Sequence, residues 1–127
     1  MCAYYHVWFG TKGRKEALQG DIGAEVRRLL VETARRAGIR LLALTLVFEH
    51  CHVLLALADD QTLPSAMQQL KGATSRYIFL KFPALKLDMG SNAFWQKGYG
   101  RREVPEEGLP RVRHYIRTQL ARPVRRQ

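Results

Sequence analysis

The apolar run from Ile39 to Ala58 constrains this 127-residue chain more than any other feature. It is long enough to span a bilayer, but Arg40, Glu49, His50 and His52 interrupt it, and such side chains are costly in a hydrocarbon core. It is also too long for one ordinary strand of about 5–6 residues. Splitting it near Phe48-Glu49-His50 gives a hairpin of two central strands, and no transmembrane helix is expected there.

The flanking elements follow from periodicity and punctuation. Ala3 to Phe9 is aromatic, β-branched or apolar and ends at Gly10-Thr11-Lys12-Gly13, which predicts a first strand and a turn. Asp21 is a candidate cap for a helix over 22–37, whose residues Ile22, Val26, Leu29, Leu30, Thr33 and Ala37 recur at helical spacing before Gly38. Leu63-Pro64-Ser65 opens a second helix running to about Lys81, and Pro83 ends it. Residues 85–92 read as mixed turn composition, and 94–104 as a last strand weakened by two glycines. After Pro105 to Gly108 a final helix carries Leu109, Val112, Ile116 and Leu120 as its buried stripe and stops at Arg122-Pro123. The order predicts one α+β domain over residues 1–127, a ferredoxin-like antiparallel sheet with helices packed on it.

Composition narrows the class of partner. Twenty-one Lys and Arg stand against 11 Asp and Glu, a net charge of +10, and a domain this small must spread that excess over its surface, as suits a polyanionic partner. Residues 101–127 hold eight Arg and three Glu, about half of that excess. Two cysteines, Cys2 and Cys51, suit a reducing compartment rather than a secreted scaffold. With no targeting signal at Met1-Cys2-Ala3-Tyr4-Tyr5-His6, a cytoplasmic, nucleoid-associated protein without a membrane partner is expected.

Two short patterns carry chemistry. In His50-Cys51-His52, at the head of an apolar strand, the period of two sends both imidazoles to one face and Cys51 to the other. A joint His-Cys-His zinc chelate would need a bulge and is disfavoured; two strand-end histidines that only satisfy hydrogen bonds would give the same pattern. On the last helix Tyr115 and Gln119 are four apart, with Cβ atoms about 6 Å from each other. A phenol can attack a phosphodiester, and a carboxamide oxygen can complete a divalent site begun by two imidazoles. Three neutral ligands leave the ion its full charge for work as a Lewis acid. The same two residues also suit a boundary aromatic and a solvated amide.

Together, His50-Cys51-His52, Lys71-Gly72 in the following helix, Phe94-Trp95-Gln96-Lys97-Gly98-Tyr99 and Tyr115-Ile116-Arg117-Thr118-Gln119 resemble the HUH-type single-tyrosine transposases of small insertion sequences, the IS200-like family. The opening Tyr5-His6-Val7-Trp8-Phe9-Gly10-Thr11-Lys12 is similar to that family's first strand. The resemblance implies a metal-dependent endonuclease and strand transferase acting on single-stranded or hairpin DNA through a 5′-phosphotyrosine link. Tyr115 would be the nucleophile, and His50, His52 and Gln119 would hold Mg²⁺ or Mn²⁺. It further implies a homodimer, in which one subunit's tyrosine helix can serve its partner's histidines. Two departures stand out: Phe48-Glu49 precedes the first histidine where the family has Pro and an Asp or Asn, and Gly100-Arg101-Arg102-Glu103 follows Tyr99.

Lys71 and Arg76 on the second helix and Arg113 and Arg117 on the last are the expected DNA contacts, although each alone also suits a solvated helix face. Phe94, Trp95 and Tyr99 read more readily as core than as stacking platforms, His6 as structural rather than a ligand, and His114 as pointing about 100° away from Tyr115. Glu49 suits a surface acid better than a support for a histidine. The alternative function is a non-catalytic or domesticated single-stranded nucleic-acid-binding protein, which would rest on charge alone. A replication or transfer nickase would share the chemistry, and an RNA-recognition sheet ranks last because no aromatic-glycine run is present.

Overall fold

The computed structural model describes residues 2–119. Strand β1 (Cys2–Gly10) leads through a short 3-10 turn to α1 (Gly20–Ala37), then β2 (Arg40–Val47) and β3 (His50–Ala58) form the expected hairpin. Helices α2 (Leu63–Lys81) and α3 (Pro83–Met89) follow, and β4 (Gly100–Val104) precedes α4 (Leu109–Arg117). The strands lie in the order β2-β3-β1-β4 with every neighbouring pair antiparallel. That order fits the ferredoxin-like outline expected from the sequence.

Local chemistry explains most boundaries. Gly38 ends α1 at φ 70°, where its N–H reaches the carbonyls of Ala34 and Arg35; an L side chain there would be strained. Thr62 caps α2 by accepting from Ser65 N at 3.3 Å, with Pro64 in the first turn. Asp21 does not cap α1. Gln19 holds that position in extended backbone, and Asp21 sits inside the first turn, where a carboxylate favours the positive end of the helix dipole.

Two expectations are corrected. Pro83 ends α2 but also starts α3 through residues read as a turn, because a proline is preorganised for a first helical turn and Leu85 gains a buried position. The last strand is shorter than 94–104. Residues 94–99 bond instead to the end of β1 and to Lys71: Lys12 N donates to Phe94 O, Gln96 N donates to Gly10 O, and Lys71 Nζ donates to Gln96 O and Gly98 O. With those groups satisfied outside the ladder and Gly98 at φ 79°, pairing with β1 begins only at Gly100, opposite Trp8. In the final helix, the expected Leu120 contact and the stop at Arg122-Pro123 lie outside the described residues.

The alternation of β3 divides the core in two. Cys51, Val53, Leu55 and Leu57 face α1 and α2 together with Val7 and Phe9. Ala43, Leu54, Val104 and Ile116 form a smaller cluster on the opposite face, beneath α4. Ile116 is fully buried there, and its carbonyl accepts a 2.7 Å hydrogen bond from the buried Thr45 Oγ1. Thr45→Val removes that donor and leaves the buried carbonyl with only the 3.2 Å bond from Gln119 N, so we expect a loss of about 1 kcal/mol in urea denaturation, with faster amide exchange across 112–117 while α1 and α2 stay protected.

Candidate functional site

The α4 face of the sheet presents side chains in straight rows, because antiparallel pairing sets partners directly opposite one another. One row runs Thr45, His52, Trp8, Gly100 across β2, β3, β1 and β4. The next contains Leu54, His6 and Arg102, and His50 lies opposite Gly10 on the other side. The period of two thus delivers both imidazoles of the His50-Cys51-His52 pattern to one face, while Cys51 is completely buried behind them. Burial also pushes the Cys51 thiol well up, which leaves it protonated at neutral pH.

Tyr115 projects from α4 onto these rings. Its ring centroid lies 6.0 Å from that of His52 and 5.8 Å from that of His6, edge-on in both cases, and the His50 and His52 rings are 5.1 Å apart. The residue is 38% exposed, so one side meets the histidines and the other meets solvent. Tyr115, His6, His52, Trp8, Arg102, Arg111 and Val112 line a cleft of about 490 Å³. The structure therefore brings His50, His52 and Tyr115 together within one chain. Gln119 lies one turn beyond Tyr115, with its amide Nε2 donating to Tyr115 O at 3.1 Å.

Electrostatics keep the rings neutral. Burial lowers the His52 pKa to about 4, with help from the neighbouring His50 and His6. His50 and His6 are lowered by the same cause, and Arg102 adds to the effect on His6. A neutral imidazole offers a lone pair to a cation. His6 Nε2 and His52 Nδ1 share a buried 3.0 Å hydrogen bond, which orients the His52 ring and engages one of its two nitrogens. His50 Nδ1 is buried without a hydrogen-bond partner, 3.7 Å from Glu49 Oε2 and beyond bonding reach. An orphaned, neutral nitrogen beside a second neutral ring fits a divalent ion. Among the described residues no three His, Cys, Asp or Glu side chains form a metal cage by themselves. A cation here would need the Gln119 carboxamide or non-protein ligands.

The basic residues singled out from the sequence divide between the two sides. Arg113 and Arg117 ride on α4 with Tyr115, Arg117 exposed and Arg113 with its Nε buried and unpartnered. Lys71 and Arg76 are on α2, which covers the opposite face of the sheet. The Lys71 ammonium ties down residues 96–98 and lies 5.8 and 5.9 Å from the Phe9 and Tyr99 rings. Arg76 stacks on Tyr77. Phe94 and Trp95 are core residues, as expected. Sequence reasoning gave no role in the cleft to Trp8, Arg102 or Arg111, and read His6 as merely structural. The signal available for His6 and Trp8 was their shared parity in β1, which becomes informative only once the register against His52 is known.

The ring environment has a pH signature. All three histidines titrate lower in the fold than at the ordinary 6.5, so the unfolded chain binds protons first and stability rises with pH. Stability should be fully present above about pH 6.5 and fall as pH drops toward 4. Melting curves between pH 7.5 and 4 should show that slope in the native protein and a shallower one in His52→Gln.

Known proteins share this framework. The sequence pattern of the family described as "Transposase IS200 like" matches residues 2–119. The ISDra2 transposase TnpA of Deinococcus radiodurans is 27% identical over 115 residues, covering 91% of this chain and 82% of that protein. The transposase for insertion sequence element IS200 of Salmonella typhimurium is 28% identical over 116 residues, 91% of this chain and 76% of its own. Among solved structures, a D. radiodurans R1 protein assigned as a transposase superposes with a TM-score of 0.77 at 28% identity, over 94% of this chain and 92% of that one. A REP-associated tyrosine transposase bound to a REP hairpin shares the fold, with a TM-score of 0.70 at 14% identity, over 94% of this chain and 67% of that one. With a family match that runs from the first strand through Gln119, this chain belongs to the IS200-like transposases.

Proposed function

We propose that the protein cuts and rejoins single-stranded DNA through a covalent link to Tyr115, using a divalent cation held by His50, His52 and Gln119. The observation that carries this reading is the edge-on approach of Tyr115 to His52 at 6.0 Å within an open, basic cleft. The Tyr115 oxygen attacks the phosphorus, the bond to the 3′ oxygen breaks, and the departing strand takes a proton as a 3′ hydroxyl. Attack by a 3′ hydroxyl on the phosphotyrosine reverses these steps and restores the phenol, so rejoining needs no nucleotide cofactor. When bound, Mg²⁺ or Mn²⁺ would withdraw charge from the scissile phosphate. His6 holds the His52 ring through their hydrogen bond, and Arg102 and Arg111 line the cleft where a phosphate backbone would run.

The net charge of +10 supports a DNA partner, and the REP-associated relative is bound to its DNA as a hairpin. Arg113 and Arg117 extend the basic surface of α4; Lys71 and Arg76, on the far face, would contact only a strand that wraps the domain. We further propose a homodimer. The structure has Tyr115 beside the histidines of its own chain, and a partner's α4 could occupy the same place.

Incubating the protein with a hairpin carrying a single-stranded flank and Mn²⁺ should give an adduct that survives denaturation. Tyr115→Phe should abolish it, and His52→Ala or EDTA should lower its yield at least a hundredfold; salt-sensitive binding with no adduct under any condition would favour the non-catalytic alternative. Sedimentation at micromolar concentration should show a species of twice the 14.6 kDa chain mass.

A further inference from the structure

We propose that Trp8 is a stacking platform for the unpaired base beside the phosphate that Tyr115 attacks, with Arg102 and Arg111 holding the flanking phosphates. The inference rests on the proposed chemistry at Tyr115 and adds where the substrate strand lies.

Trp8 is directly opposite His52 in the β1–β3 register and directly opposite Gly100 in the β1–β4 register. Directly opposed side chains have Cβ atoms about 5 Å apart, so Trp8 and His52 leave the sheet from adjacent points. The indole's orientation comes from Gly100. A Cβ there would fall 2.0, 2.1 and 2.5 Å from Nε1, Cε2 and Cζ2 of Trp8, so the indole lies across the bare glycine backbone, and any larger residue would push it off. The His6 ring packs at 5.0 Å, tilted 56°, and fixes a second side.

The core does not account for this tryptophan. Trp8 belongs to neither apolar cluster and stays half-buried, whereas Trp95 is only 5% exposed and packs between Phe9 and Phe94. A large, half-buried aromatic on the wall of an open cleft offers the kind of π-system on which a nucleobase stacks. The cleft's charge selects the ligand. Arg102 and Arg111 are exposed, line the same space, and among the described residues neither pairs with a carboxylate. An aromatic floor between unpaired guanidiniums and a histidine pair suits a single strand, whose bases are free to stack; paired bases in a duplex are not.

The test uses Trp95→Phe, a change that removes an indole whose Nε1 has no hydrogen-bond partner and leaves Trp8 the sole tryptophan of the two in the chain. Titrating a single-stranded oligodeoxynucleotide in EDTA should quench its fluorescence, and an equal-length duplex should not. Trp8→Ala should weaken single-strand binding about tenfold, and Trp8→Phe should restore most of it. Gly100→Ala, which keeps the tryptophan but displaces it, should weaken binding as Trp8→Ala does. One abasic position in the strand should cost the native protein about tenfold and cost Trp8→Ala nothing further. Unchanged quenching by duplex and single strand, or an abasic penalty that persists in Trp8→Ala, would overturn the platform. An adduct on Tyr115 without a Trp8 signal refutes stacking alone; quenching without any adduct refutes the tyrosine chemistry and upholds Trp8 as a base-binding surface.

Discussion

The antiparallel register of β1 against β3 is the constraint on which the rest depends. Pairing Trp8 with His52 and His6 with Leu54 puts every even-numbered residue of β1 on the α4 face and every odd one against α1 and α2. A slip of one residue would bury the histidines beneath two helices and turn Val53 and Leu55 toward the cleft. The apolar side of β3 therefore protects the polar side: its buried side chains hold the register that keeps two imidazoles in place.

The second structural requirement is the seat of α4. This helix is short and bears the tyrosine one residue before its buried anchor, Ile116. Because Ile116 points straight into the sheet and Thr45 grips its carbonyl, the adjacent Tyr115 is rotated about 100° toward the histidine row. His114, on the other side of Tyr115, is carried away from the same row, as the helical geometry requires. An isolated nine-residue helix would be unstable in water, so the position of the tyrosine is a tertiary property throughout.

The hairpin that delivers His50 is unusual in its chemistry. It turns through Phe48 and Glu49, and Phe48 sits at φ 46°, a conformation that costs a bulky residue about 1–3 kcal/mol. Neighbouring backbone holds it: Leu18 N donates to Phe48 O and Thr11 N donates to Glu49 O. Glu49 is tethered to Arg14 at 3.4 Å. The two-residue Phe48-Glu49 turn thus leads directly into His50, with its local strain carried by contacts from the β1–α1 connection.

Much of this was legible in the linear chain. Period-two alternation in β3 was enough to place His50 and His52 on one face, a spacing of four was enough to associate Tyr115 with Gln119, and the hairpin followed from the length of the apolar run. What periodicity cannot convey is which strand lies beside which, or what covers each face, since those depend on contacts between residues far apart in sequence. For that reason the bonds from Lys71 to the 96–98 loop have no signal in the sequence, and the strand expected over 94–104 is shortened by bonds to distant β1 and Lys71. Trp8, with no role legible in the sequence, is found opposite His52 on the wall of the same cleft because the fold pairs two strands separated by a helix and a third strand. Local propensities determined the elements and the faces of their side chains; only the packing of the sheet and α4 decided that imidazoles, phenol, indole and guanidiniums would share one cleft.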